Sequence, residues 1–111
     1  MDIEEIETGR VTVLVIKGRV DSSNAIDLSN RLRALYASPG RLLLLDLQAL
    51  EYITSAGFRS LLIGRRYAAS SGGAFALCNL NARVDELFDM GGFKENFSIH
   101  STREEGIARI A

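Results

Sequence analysis

The sequence predicts an α/β domain built on a mixed, mostly parallel sheet of four to five strands with about four helices. Three observations lead there. Apolar runs of strand length recur at "RVTVLVIKG", "LLLLDL" and "AFALCN". Segments with apolar residues at helical spacing lie between them. The joints are short, which favours right-handed crossovers and parallel neighbours.

Taken in order, "DIEEIE" reads as a short edge strand and "RVTVLVIKG" as a β-branched strand that Gly18 closes. The two form an antiparallel opening pair, which makes the sheet mixed. "DSSNA" is a turn able to cap a helix, and from Ala25 the residues Leu28, Leu32, Leu35 and Tyr36 recur at helical spacing until Ser38, Pro39 and Gly40 stop them. "LLLLDL" is a continuous apolar strand, the kind covered on both faces. Phe58, Leu61, Leu62, Arg65 and Ala69 outline a second helix ended near Gly72 and Gly73. After the strand "AFALCN", Asn81 is a candidate N-cap for a short helix with Val84, Leu87 and Phe88 inward and Gly91-Gly92 as its stop. "FSIH" is a short strand, and "TREEGIARI" a last helix with Thr102 and Glu105 placed as a capping box.

The chain has 111 residues, 47% hydrophobic and 24% charged, within the size of one domain spanning 1–111. Thirteen basic and fourteen acidic side chains give a net charge of −1, without the basic excess of a nucleic-acid module. The single Cys78 has no intrachain partner and lies in an apolar run, as a core thiol does, and one cysteine fits a reducing compartment. No apolar run approaches the roughly 20 residues of a membrane span. The start "MDIEEIETG" is acidic where a signal peptide is basic, so a cytoplasmic location without membrane insertion is expected.

In sheets of this kind function gathers at loops leaving the C-terminal ends of strands. Three qualify: "DSSN" at 21–24, "EYITSAG" at 51–57 and "NLN" at 79–81. The middle loop is the most informative, because Thr54 and Ser55 stand directly before a helix that has Gly57 in its first turn. A helix N-terminus has unpaired N–H groups and favours an anion, so a phosphate on Ser55 would be well seated. The plain alternative is that Thr54 or Ser55 caps the helix and Gly57 is there for packing. Gly57 is otherwise explained by close approach of a partner to the backbone.

The stretch "LLLLDLQALEYITSAGFRSLL" resembles the pattern of the STAS domain, the fold of the anti-sigma factor antagonists: a hydrophobic strand, D-L, a spacer, then D-S-S-G or a variant and a helix. "GRVDSSNA" and "GGAFALCNLNARVDELFDMGGF" extend the likeness, which runs from Val11 to Ala111. The resemblance implies a non-enzymatic protein without cofactor or metal. It would bind an anti-sigma factor serine kinase when unphosphorylated and leave it when phosphorylated, with a PPM-type, metal-dependent serine phosphatase restoring binding. Carried over, the acceptor is Ser55, with Thr54 as a minor candidate. Ala56 replaces the second serine, Thr54 replaces the acid before the first, and Asp21 matches the family's acidic residue in the adjoining loop. The partner surface is expected on Asp21, Ser22, Ser23 and Asn24, on Thr54, Ala56, Gly57, Phe58 and Arg59, and on Asn79, Leu80 and Asn81. A second reading is an accessory subunit of a membrane transporter complex, in which the same loop docks permanently.

Other candidate groups carry less. Asp46 ends a strand, as a receiver phosphoaspartate does, but the companion acidic pair and lysine are missing, so a structural role accepting loop N–H groups is expected. His100 has no cysteine or carboxylate pair nearby and reads as an edge histidine. Arg59, Arg65 and Arg66 could attract an acidic partner or form a solvated face, with Arg65 at core spacing. No phosphate-cradling glycine motif is present. Ser55 has no histidine base, which leaves a serine hydrolase without support.

Overall fold

The computed structural model describes residues 1–111. Its elements are β1 (Asp2–Thr8), β2 (Val11–Val20), α1 (Ala25–Leu35), β3 (Leu42–Asp46), β4 (Leu50–Ile53), α2 (Ser55–Ser71), β5 (Ala74–Cys78), α3 (Ala82–Gly91), β6 (Ser98–His100) and α4 (Arg103–Ile110). A 3-10 turn, Lys94–Asn96, links α3 to β6. The strand order is β1-β2-β3-β5-β6, with β4 paired to β2. Only the β1–β2 pair is antiparallel.

The run "VTVLVI" is buried at every position because β2 is covered on both faces. Leu14 and Ile16 join Leu43, Leu45, Phe75 and Leu77 under α1, α2 and α3. Val11, Val13 and Val15 join Leu44, Ala76 and Cys78 beneath Ile107 and Ile110 of α4. Three helices thus lie on one face and one on the other, and no helix is long and apolar enough to cross a membrane. Cys78 is fully buried, and desolvation, followed by the nearby Asp46 carboxylate, pushes its thiol up to about 12.

The mixed sheet is as expected, but β4 occupies the start of the segment 51–57 expected to be a loop. Its four residues read Leu-Glu-Tyr-Ile, too short for periodicity to resolve. Tertiary pairing makes it a strand. β3 pairs with the first half of β2 (Val11–Val15), and β4 pairs with the second half (Gly18–Val20) along the same edge. Between them the chain leaves the edge at Leu47–Ala49 and returns through the Gly18 N–H, which donates to Ala49 O at 3.1 Å. The register shifts there, between Gly18 and Arg19.

Helix ends follow the sequence signals in part. Asn81 Oδ1 accepts from the Val84 N–H at 2.9 Å, and Thr102 Oγ1 accepts from the Glu105 N–H at 3.0 Å. Gly72 and Gly92 close α2 and α3 with φ of +73° and +69°, a conformation that costs a residue with a Cβ. Two inward assignments on α2 are corrected: Arg65 and Ala69 are exposed, and Gly64 and Ala68 are buried instead. Helix α2 crosses α1 closely there, since a Cβ on Gly64 would come within 2.7 Å of Leu32. The Arg65 guanidinium is turned outward and donates to Asn96 O.

Asp46 is structural, as expected, but its main partner was not visible in sequence. Its Oδ1 accepts from the Gln48 N–H at 3.0 Å, while Oδ2 accepts from Arg103 Nη2 at 2.9 Å, Arg103 Nε at 3.1 Å and Asn79 Nδ2 at 3.1 Å. The carboxylate side chain is 4% exposed and Arg103 33%, so the pair ties the start of α4 to the end of β3. Arg103→Ala leaves a buried carboxylate without its cation, and we expect a loss of about 3 kcal/mol in urea denaturation, with α4 amides losing hydrogen-exchange protection first.

Candidate functional site

Two of the three expected loops meet at the end of β2. The Thr54 N–H donates to Val20 O at 3.0 Å, which brings the start of α2 beside Asp21–Asn24. The Ser60 hydroxyl, buried, donates to Ala25 O at 2.7 Å and joins α2 to the first residue of α1. The β2–α1 turn holds itself together. Asp21 Oδ1 accepts from both the Ser23 N–H, at 2.9 Å, and the Ser23 hydroxyl. Asn24 stands at the N-cap without a capping bond. Its Oδ1 accepts from the Asp21 N–H and its Nδ2 donates to Arg19 O, both at 2.9 Å.

At the start of α2 the side chains separate by access. Ser55, the first helical residue, is exposed, and the first turn contains no acidic residue. Thr54 occupies the N-cap in an extended conformation, φ −97° and ψ 177°, but makes no capping hydrogen bond. Its Oγ1 is buried and lacks any partner. The expected capping by Thr54 or Ser55 is therefore corrected: the position is a cap, but no hydroxyl satisfies the helix amides. Those first N–H groups stay free for solvent or an anion.

Gly57 and Phe58, expected on the partner surface, face inward. A Cβ on Gly57 would lie 2.6 Å from Ile53 Cγ1 and 3.0 Å from Val20 O, so the glycine lets α2 sit against the ends of β2 and β4 rather than clearing space for a partner. Phe58 is 5% exposed, stacked on Phe93 at 4.2 Å between ring centroids and edge-on to Phe88 at 4.8 Å. Ser55 and Arg59 are exposed instead, and Ala56 and Arg59 line a groove of about 330 Å³ between α1 and α2, with Ser55 next to Ala56 in the chain. Ser22 and the exposed Ile26 border it from α1's side.

The third loop is bound into the fold. Asn79 has φ +56° and its amide donates to Asp46. The Asn81 amide donates to Leu50 O at 2.7 Å and Gln48 O at 2.9 Å, which pins the β3–β4 connection while its Oδ1 caps α3. Both side chains are thus committed internally, and Leu80 packs partly against the core. Leu80 also lines a polar cleft of about 260 Å³ with Asp85, Ile99, His100 and Ser101. His100 is at the sheet edge as expected, its Nε2 sharing a 2.9 Å hydrogen bond with Ser98 Oγ and its Nδ1 3.9 Å from a Glu105 oxygen. No group of three or more His, Cys, Asp and Glu side chains could hold a metal.

Residues 2–106 match the model of the STAS domain. The chain belongs to the STAS domain family. It is 34% identical over 96 residues to BtrV of Bordetella bronchiseptica, described as an anti-sigma factor antagonist, across 86% of this chain and 83% of that one. Among solved structures it is similar to an anti-sigma factor antagonist from Mycobacterium paratuberculosis, with a TM-score of 0.84 and 20% identity over 98% of this chain and 92% of that one. The anti-sigma factor antagonist SpoIIAA in its unphosphorylated form gives a TM-score of 0.78 at 18% identity, over 98% and 96% of the two chains. Its phosphorylated form, from Bacillus, gives 0.70 at 16%, over 99% and 100%. The mixed sheet with four helices is the fold these STAS proteins share with this chain.

Two predictions follow from this geometry. Gly57→Ala forces Ile53 or the helix to move, and overpacking of this kind outweighs the small helix-propensity gain in a first turn. We expect a net loss of roughly 1–2 kcal/mol by thermal or urea denaturation. Asp21 is held below its ordinary value of 3.8, first by the Ser23 hydroxyl, then by the Ser23 N–H, with Arg19 assisting. A depressed carboxylate adds stability that is present above 3.8 and disappears as pH falls through the lower folded value. NMR titration should find the Asp21 midpoint below 3.8, with the Ser23 amide moving alongside it, and Ser23→Ala should raise that midpoint.

Proposed function

We propose that this STAS domain is an anti-sigma factor antagonist that binds a serine-kinase anti-sigma factor while Ser55 is unmodified and leaves it once Ser55 is phosphorylated. The observation that carries the reading is the exposed Ser55 hydroxyl at the first position of α2, in a protein 34% identical to a described antagonist. In the transfer, Ser55 Oγ attacks the γ-phosphorus of ATP, its proton passes to a base on the kinase, and ADP leaves. The phosphate adds about −1.5 to −2 charge beside a helix N-terminus with no carboxylate in its first turn. The fold tolerates that charge, since free N–H groups face it. A close interface over Ala56 and the α1–α2 groove does not, because the phosphate would have to be desolvated there. A PPM-type phosphatase restores the binding form. Thr54 is the poorer acceptor, its oxygen being buried.

Incubating the chain with an anti-sigma serine kinase from the same genome and ATP, then mapping the site by mass spectrometry, tests this. Phosphate should appear on Ser55, persist in Thr54→Val and vanish in Ser55→Ala, and Ser55→Asp should weaken the kinase complex at least tenfold, about 1.4 kcal/mol. Absence of both phosphate transfer and complex formation would overturn the reading. A complex indifferent to Ser55→Asp would favour the permanent docking surface of a transporter subunit.

A further inference from the structure

The groove between α1 and α2 carries a pattern that phosphate acceptance alone leaves unused. Ile26 is 66% exposed on one wall, and Ala25, Ala56 and Ile63 continue the apolar lining. Its deeper hydroxyls are already spent, since Ser29 Oγ and Ser60 Oγ both donate to Ala25 O. The only charged lining residue is Arg59, which is exposed and has no carboxylate within ion-pair distance. An apolar trough with one unpaired guanidinium on its rim complements an apolar side chain that stands next to a carboxylate. Arg59 is also four residues after Ser55 on the same helix, hence one turn away on the same face. A phosphate on Ser55 and a carboxylate in the groove compete for the same guanidinium.

Given the kinase-binding role proposed above, we infer that the groove receives an apolar side chain of the kinase flanked by Asp or Glu, that Arg59 pairs with that carboxylate, and that the Ser55 phosphate draws Arg59 away. Phosphorylation then acts twice: it places an anion at the interface and removes the cation that recognised the partner.

Calorimetry of the full chain with the serine kinase at low salt reads the first half. Arg59→Gln should raise Kd about tenfold and Ile26→Asp by at least as much, while Arg66→Gln, the same loss of charge elsewhere on α2, leaves Kd unchanged. Thermal melts confirm that the exposed substitutions leave the fold intact. Arg59→Gln within twofold of the unsubstituted chain, or an equal loss in Arg66→Gln, overturns the inference. The second half is read without the kinase, by ³¹P NMR titration of chains prepared with phosphoserine at position 55. Pairing lowers the second phosphate ionisation from about 6, so the midpoint should be lower with Arg59 than with Gln there. Equal midpoints overturn the capture. An unsubstituted chain that neither binds the kinase nor accepts phosphate overturns the functional reading and this one together. Binding that ignores Arg59 overturns this one alone.

Discussion

Two strands sharing one edge of β2 is the constraint on which the rest of the molecule depends. β3 occupies the first half of that edge and β4 the second, with the chain stepping out at Leu47–Ala49 and back in at Leu50. The step carries the chain past the end of β3, so that the Thr54 N–H reaches Val20 O and α2 starts where β2 ends. Without β4, Ser55 would emerge near Asp46, at the level where β3 and β5 finish, rather than beside Asp21–Asn24. Asn81 secures the arrangement from the next loop, donating to the carbonyls of Gln48 and Leu50 while capping α3. Its one half-buried side chain joins three segments, with both ends of the amide satisfied.

Close packing and presentation are two sides of the same geometry at the start of α2. Gly57 lets the helix settle onto Val20 and Ile53, and Phe58 anchors it in a cluster with Phe88 and Phe93. Those inward residues hold the exposed Ser55 and Arg59 at fixed positions at the start of α2, with Arg59 and the half-buried Ala56 lining the α1–α2 groove. A recognition surface on a rigid helix start loses less conformational entropy on binding than one on a mobile loop. The buried, unpartnered Thr54 hydroxyl is the cost of that placement: its backbone N–H serves the sheet, and its side chain makes no capping hydrogen bond to the helix amides.

The opposite face is held differently. Only α4 covers Val13, Leu44 and Cys78, and the Asp46–Arg103 pair joins its first turn to the sheet. Burying a charge is tolerated there because every Asp46 contact is a hydrogen bond and Arg103 keeps a third of its surface in water. The groups that shape the candidate site and the group that pins α4 thus lie at the same end of the sheet on different faces.

Much of the fold was legible in the sequence. Strands buried on both faces read as unbroken apolar runs, and glycines after helical spacing marked the ends of α2 and α3. The caps at Asn81 and Thr102 work through neighbours three residues away. The position of Ser55 at a helix start was legible as well, because the order of strand, hydroxyls and helix is itself a local pattern. What tertiary structure decided involves partners far apart in the chain. β4 became a strand only by pairing with β2, and Asp46 found Arg103 57 residues on. Gly57 could be assigned to packing only once Val20 stood against it, and Arg65 was turned outward once α1 and α2 met at Gly64. Periodicity reports which face of an element is apolar, whereas contacts across the sheet depend on register and crossing angle, which no local spacing encodes.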